Sequence, residues 1–279
     1  MSFIVRFVRQ WIAGETLSDA FTRVKSENKA GIGAIINFLG EHVREAREAE
    51  MNVAENLQIL KYIEEYKLNA SLSIKLTQLG LDIGKGFCLS NTEKIVGSAV
   101  SKNIFVWIDM ENSPYTEETI GIYIEIFKKY KNAGIAIQSN LKRSEEDVKR
   151  ISAAGGVIRL VKGAYREKKE IAYTGRSEIT INFSRLMGYL FYKSPFFAIA
   201  THDELLINEA IEANKTHQKR LEFQMLMGVR EELKQELIRK GFTVVDYIPY
   251  GRNWFPYSVR RVRERKRNIL LILRSIFDF

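Results

Sequence analysis

Cysteine is nearly absent: Cys88 stands alone in 279 residues. No intrachain disulfide can form, and a reducing compartment fits. Histidine is almost as scarce. His42, His202 and His217 are scattered, without H-x-x-x-H or Cys/His spacing, which disfavours metal chemistry. Only four prolines interrupt the chain. No apolar run is long enough to cross a bilayer. Residues 1–13 carry Arg6 and Arg9 inside their apolar run and offer no small-residue cleavage site, so a signal peptide is not expected. Phosphate-binding glycine motifs are missing too. Gly31-Ile-Gly33 and Gly84-Lys-Gly86 lack a third glycine, and no G-x-x-x-x-G-K-[ST] loop occurs. Nothing resembles a nucleophile elbow or a cysteine–histidine pair.

What remains is an ordinary globular composition, 46% hydrophobic and 28% charged. The length permits one large domain or two small ones; a (β/α)8 barrel of about 250 residues with a short extension would use it fully. Net charge is +9. Nucleic acid is the first partner such a charge suggests. Against it, much of the excess lies in one C-terminal cluster, and no nucleic-acid motif or stacking array is present. An anionic small molecule or an anionic membrane surface explains the charge equally.

Residues 3–12 (FIVRFVRQWI) read as a short basic amphipathic helix, and residues 16–25 as a second. Together they form an expected arm, residues 1–30, before a main domain over 31–279. There a pattern begins. Apolar runs at 31–39, 71–76, 104–110, 135–139, 157–161, 196–201, 220–226 and 243–249 alternate with helical stretches. These lie near 41–67, 92–101, 116–132, 144–154, 178–192, 204–214 and 231–240, with a final helix beginning near Pro256. Eight strand-then-helix units fit a closed parallel barrel. A doubly wound open sheet is the competitor, but it would usually carry the glycine turn that is missing here.

In such a barrel the C-terminal ends of the strands line the site. Lys75, Asp109, Met110, Glu111, Gln138, Arg159, Lys162, Thr201, His202, Asp203, Glu222, Gln224, Asp246 and Tyr247 fall at or near those ends. Arg159 and Lys162 interrupt the apolar run 157–161 and its end, and buried cations need anionic partners. Gly163 and Ala164 follow, where small residues let a ligand approach the backbone. Each polar residue has a plain structural reading. Lys75 and Asp109 could be an ion pair, Glu222 and Gln224 interior filler, and His202 a helix cap. Asp109 with Glu222 could make a glycosidase pair, but that leaves the cations unexplained. Their excess points to an anionic ligand. The adjacent Arg260 and Arg261 could grip a carboxylate bidentately. Tyr247, Tyr250, Trp254 and Tyr257 suggest a lid over a small, partly apolar ligand.

Several motifs resemble those of the proline dehydrogenase family. They are I-R-L-V-K-G-A-Y at 158–165, A-T-H at 200–202, E-F-Q-M-L at 222–226, Y-I-P-Y-G from 247 and Y-S-V-R-R-x-x-E ending at 264. S-I-K-L at 73–76, I-D-M at 108–110 and I-Q-S at 137–139 also fit. The resemblance runs from about residue 30 to 268 and is greatest to the short, monofunctional enzymes. It implies an FAD-containing barrel, with a final helix over its mouth, that oxidises L-proline to Δ1-pyrroline-5-carboxylate. A quinone is the implied acceptor, and a pyrroline-5-carboxylate dehydrogenase acts downstream. Carried over by position, Asp109 and Arg159 are the catalytic pair. Lys75, Arg260 and Arg261 clamp the substrate carboxylate, and Tyr247, Leu226 and Tyr165 wall its ring. Met110, Gln138, Lys162, Gly163, Ala164, Thr201, His202 and Thr174 contact FAD, and Glu264 orients the arginine-bearing helix.

The arm matches no motif. Residues 263–279 are basic, then strongly apolar. With a quinone acceptor they suggest peripheral docking at the inner face of the cell membrane by a cytoplasmic enzyme; a helix sealing the barrel, or an oligomer contact, is the alternative. An FAD barrel acting on another cyclic secondary amine, or a non-catalytic barrel subunit, also stays open.

Overall fold

The computed structural model describes residues 11–264, with side chains through Val259. All but the last two residues of the helix expected over 3–12, and the tail beyond 264, lie outside them. Helix α1 (Leu17–Lys29) begins at a capping box. Thr16 Oγ1 accepts the Asp19 N–H at 3.2 Å, and Asp19 Oδ2 accepts the Thr16 N–H at 2.9 Å. Eight units follow: β1 (Gly33–Phe38), α2 (Ala46–Glu65), β2 (Ala70–Ile74), α3 (Lys85–Ser101), β3 (Val106–Ile108), α4 (Thr116–Lys129), β4 (Ala133–Gln138), α5 (Ser144–Ala153), β5 (Val157–Val161), α6 (Arg176–Lys193), β6 (Phe196–Ala200), α7 (Glu204–His217), β7 (Arg220–Leu226), α8 (Glu231–Arg239), β8 (Thr243–Tyr250) and α9 (Trp254–Glu264). Each strand pairs in parallel with the next, and β8 pairs with β1, so the sheet closes. This is the expected (β/α)8 barrel.

The main core lies between strands and helices, where Ile74, Val96, Ile120, Ile158, Leu190 and Ile207 are buried. The interior of the barrel has two different halves. Its N-terminal half is a plug of Ile35, Trp107, Ala198 and Val245, with Phe105, Val157 and Phe196 against it. Trp107 fits because β4 carries glycine opposite: a Cβ on Gly134 would sit 2.4 Å from the Trp107 ring. Two residues further along the strands, the same interior face turns polar at Asp109 and Arg159.

Two elements depart from a simple alternation. Helix α9 starts at Trp254, with Pro256 in its first turn, where a missing N–H does no harm. It does not return to the outer ring. Its Trp254 and Tyr257 join Trp11, Ile12, Leu39 and Val229 in an apolar cluster with Leu226 and Tyr247. The place against β8 and β1 is filled instead by α1, which comes from the segment expected as an arm. Its Ala20, Phe21 and Val24 are buried in the main core.

Candidate active site

Asp109 organises the mouth of the barrel. It follows β3, held by its own N–H to the Ile74 carbonyl at 2.9 Å. Its Oδ1 accepts from Ser73 Oγ at 2.6 Å and from Arg159 Nη2. Its Oδ2 accepts from Lys75 Nζ at 2.5 Å and from the Tyr247 hydroxyl at 2.7 Å. Ser73 and Lys75 belong to one face of β2 and its extension, Arg159 to β5 and Tyr247 to β8. Four strands thus converge on one carboxylate. Lys75, Asp109 and Arg159 are each less than a tenth exposed.

Burial alone would raise the Asp109 pKa, but Lys75 and then Arg159 hold it well below the carboxylate range. Burial alone would lower Lys75; Asp109, then Tyr165, Glu41 and Glu111, hold it above its ordinary value. Burial, then Asp109, pushes the Tyr247 hydroxyl up, so it stays a donor. Two buried cations thus share the one carboxylate of Asp109. The nearby Glu111 carboxyl accepts from the Thr77 N–H and hydroxyl, and burial pushes it up.

Arg159 is fixed from several sides. Its guanidinium carbon lies 5.3 Å from the Trp107 ring centre and 5.8 Å from that of Tyr247. Nη1 donates to Gln224 Oε1 at 3.4 Å, and Gln224 Nε2 donates to Glu222 at 2.6 Å. Burial pushes Glu222 up. Ser73 and Trp107 were not foreseen as site residues. Each lies two positions before a foreseen one, Lys75 and Asp109, and the strand period of two would have found both.

The other candidates form a second arc, at the ends of β4 to β7. Met110 is buried directly after Asp109. Buried Gln138 donates through Nε2 to the Glu111 carbonyl at 2.9 Å, while its own backbone carbonyl accepts from Ser144. Lys162, expected to need an anionic partner, has one in Asp203: its ammonium reaches that carboxylate at 2.5 Å and Thr180 at 3.2 Å. Gly163 has φ +111°, and a Cβ there would lie 2.2 Å from Asn140 Oδ1. Ala164 and Tyr165 follow half-buried, and the Tyr165 hydroxyl donates to Glu41 at 3.3 Å. Thr201 Oγ1 accepts the Asp203 N–H at 3.2 Å. His202 is not a helix cap; Asp203 caps α7, accepting the Leu205 N–H at 3.1 Å. His202 Nε2 accepts the Leu226 N–H at 3.0 Å. Leu226 meets Tyr247 in the mouth cluster. Thr174 is exposed in the loop before α6, which is tied to the loop after β4 by the Tyr173 N–H on the Asn140 carbonyl at 2.7 Å.

Asp246 does not face the mouth. Neighbours on a strand point to opposite faces, and with Tyr247 inside, Asp246 lies outside against Lys234 at 2.7 Å. Arg260, Arg261 and Glu264 are on α9, but their side chains lie outside the described residues. Among the described residues no helix is long and apolar enough to cross a membrane.

The family described as Proline dehydrogenase matches residues 20–269. The chain is 34% identical over 271 residues to proline dehydrogenase 1 of Bacillus subtilis, covering 96% of this chain and 90% of that one. It is 27% identical over 275 residues to the proline dehydrogenase of Deinococcus radiodurans, covering 96% and 89%. Among solved structures, proline utilization A from Bdellovibrio bacteriovorus superposes with a TM-score of 0.87 at 23% identity. The match covers 93% of this chain but only 32% of that longer one, and the likeness is one of fold. A family match over most of the length, with 34% identity over 96% of the chain to a named member, leaves one assignment: the chain belongs to the proline dehydrogenase family.

Proposed function

We propose that the chain oxidises L-proline to Δ1-pyrroline-5-carboxylate with FAD as its cofactor and a quinone as the final acceptor. One observation carries this reading: the buried cage of Lys75, Arg159 and Tyr247 on Asp109, two cations on one carboxylate, lies beside an apolar wall. An anionic head and a small apolar ring are what such a pocket accepts.

Several features support a flavin dinucleotide. Arg159 Nε and Asn140 Oδ1 are buried, a donor and an acceptor without partners among the described residues. Gly163 bares its backbone at φ +111°, next to Ala164. Two of the three ammonium protons of Lys162 have partners, leaving one for an anionic group. Arg159, Gln138, Lys162, Gly163, Ala164, Thr201 and His202 would hold the group, with Met110 and Thr174 beside it. When bound, FAD supplies the two-electron acceptor. The protein's part is orientation and charge. Lys75 and the α9 arginines bind the substrate carboxylate, and Leu226, Tyr247 and Tyr165 press the ring into place. Asp109 is saturated with donors and held below the carboxylate range, so it takes no proton from the substrate. Proline therefore reacts as the neutral amine. The product is an imine carboxylate, the substrate class of a pyrroline-5-carboxylate dehydrogenase.

The visible spectrum of the purified protein, before and after anaerobic L-proline, tests the proposal. Flavin bands that bleach are expected. Bands that persist would leave another cyclic secondary amine as substrate; no bands, even after added FAD, would favour a barrel without catalysis. Peripheral docking through residues 269–279 predicts that their deletion lowers liposome co-sedimentation.

A further inference from the structure

Lys234 is fully buried on α8, outside the barrel, and the chemistry above does not use it. Its ammonium has three partners. It donates to Asp246 at 2.7 Å, to Glu231 at 2.9 Å and to the backbone carbonyl of Leu226 at 3.2 Å. Asp246 is also fully buried. A buried ion pair of this kind is not needed for stability alone, because two apolar side chains of similar volume do as well or better. The third bond indicates what else the lysine does.

Leu226 is the last residue of β7. The β6–β7 register ends at Ala200↔Gln224, so Leu226 lies beyond the reach of β6. Met227 donates to the Tyr247 carbonyl on the β8 side. The two backbone groups of Leu226 therefore point to where β6 has stopped. Two side chains meet them. His202 Nε2 accepts the N–H at 3.0 Å, and Lys234 donates to the carbonyl. Lys234 also holds Asp246, the immediate neighbour of Tyr247, and Leu226 pairs in register with Tyr247. One ammonium thus fastens the backbone of Leu226, one wall of the pocket, and takes as its counter-ion the carboxylate next to Tyr247, the other.

We propose that Lys234 is a positioning residue for substrate selection: by fixing the Leu226 carbonyl, with Asp246 as its buried counter-ion, it sets the separation of the Leu226 and Tyr247 side chains and so the ring size the pocket accepts. The inference rests on the functional reading above. It concerns a side chain that touches neither substrate nor cofactor.

The test compares wild type, Asp246→Asn and the double variant Lys234→Met/Asp246→Asn, as holoenzymes, on L-proline and its six-membered ring homologue. The double variant removes both charges together, so no lone buried charge is left to unfold the protein. Its KM for L-proline is expected to rise about fivefold with kcat within about twofold. Its preference for the five-membered ring, as a ratio of kcat/KM, is expected to fall about tenfold. Asp246→Asn keeps the bond to Leu226, so it should keep the preference. Loss of preference in Asp246→Asn, or full preference in a folded double variant, overturns the proposal. Should the double variant not fold, Lys234→Leu/Asp246→Leu, which fills the same buried space with apolar side chains, is read in its place, and full preference in it overturns the proposal. Calorimetric titration with cyclopentanecarboxylate and cyclohexanecarboxylate reads the same wall without turnover. A wild type that neither oxidises L-proline nor binds these acids would sink the functional reading instead.

Discussion

Four donors share the two oxygens of Asp109, and two of them are buried cations. Asp109→Asn leaves Lys75 and Arg159 with one neutral carbonyl and turns a new N–H donor toward them. Breaking a buried ion pair from one side costs about 3–5 kcal/mol. Where this falls on the transition state, at about 1.4 kcal/mol per decade, kcat/KM for L-proline drops at least about 100-fold. Ser73→Ala removes one neutral donor, a loss of about 1 kcal/mol and about fivefold in rate. Stopped-flow reduction by proline ranks the two; equal losses would show that Asp109 does not organise the cage. Much of this cage was legible, because a charge inside an apolar run at a strand end is conspicuous. The phase of β8 was not. Asp246 and Tyr247 are both polar and adjacent, and only one can face inward. The partner that decides it, Lys234, lies on a different element.

The runs of apolar residues marked all eight strands, but strand length depends on the partner. The run 104–110 is apolar nearly throughout, yet β3 is only Val106–Ile108, since its register with β2 runs from Leu72↔Val106 to Ile74↔Ile108. The role of α1 was hidden for a similar reason: its packing partner β8 is more than 200 residues away in sequence, so nothing local shows it closing the helical ring. That role makes a prediction. Phe21 is 5% exposed and stacks on Tyr62 with ring centres 4.9 Å apart. Phe21→Ala should destabilise the whole barrel by about 3–5 kcal/mol, read as a lower urea midpoint in a single transition. The mouth lies elsewhere, so kcat per folded molecule should stay unchanged. A loss below about 1 kcal/mol, within the usual range of a surface change, would make α1 an appendage after all.

At the scale of the molecule, stability and activity should respond to pH in opposite directions. Burial raises the carboxyls of Glu111, Glu222 and Asp246, the last from 3.8 to about 7. Each binds its proton more tightly folded than unfolded. The stability they contribute is therefore full below their unfolded values and declines as pH climbs toward their folded ones. For Asp246 that window runs from 3.8 to about 7. Asp109 has the opposite sign. Its folded value is depressed, so its contribution is present above 3.8 and is lost only in more acidic solution. Lys75 is raised, and its contribution is lost only in strongly alkaline solution. Between about pH 5 and 7 Asp246 dominates, and stability to urea should fall, by at most about 1.4 kcal/mol per pH unit. Asp246→Asn should flatten the slope. Flavin reduction at low L-proline should meanwhile accelerate from about pH 6 to about pH 9, because the substrate must lose its own proton where no side chain in the cage can take it. A rate flat over that range would mean that some group accepts the amine proton. A profile that rises in wild type and Asp246→Asn alike, while only the stability slope differs between them, would separate the charge that holds the barrel from the charge that holds the substrate.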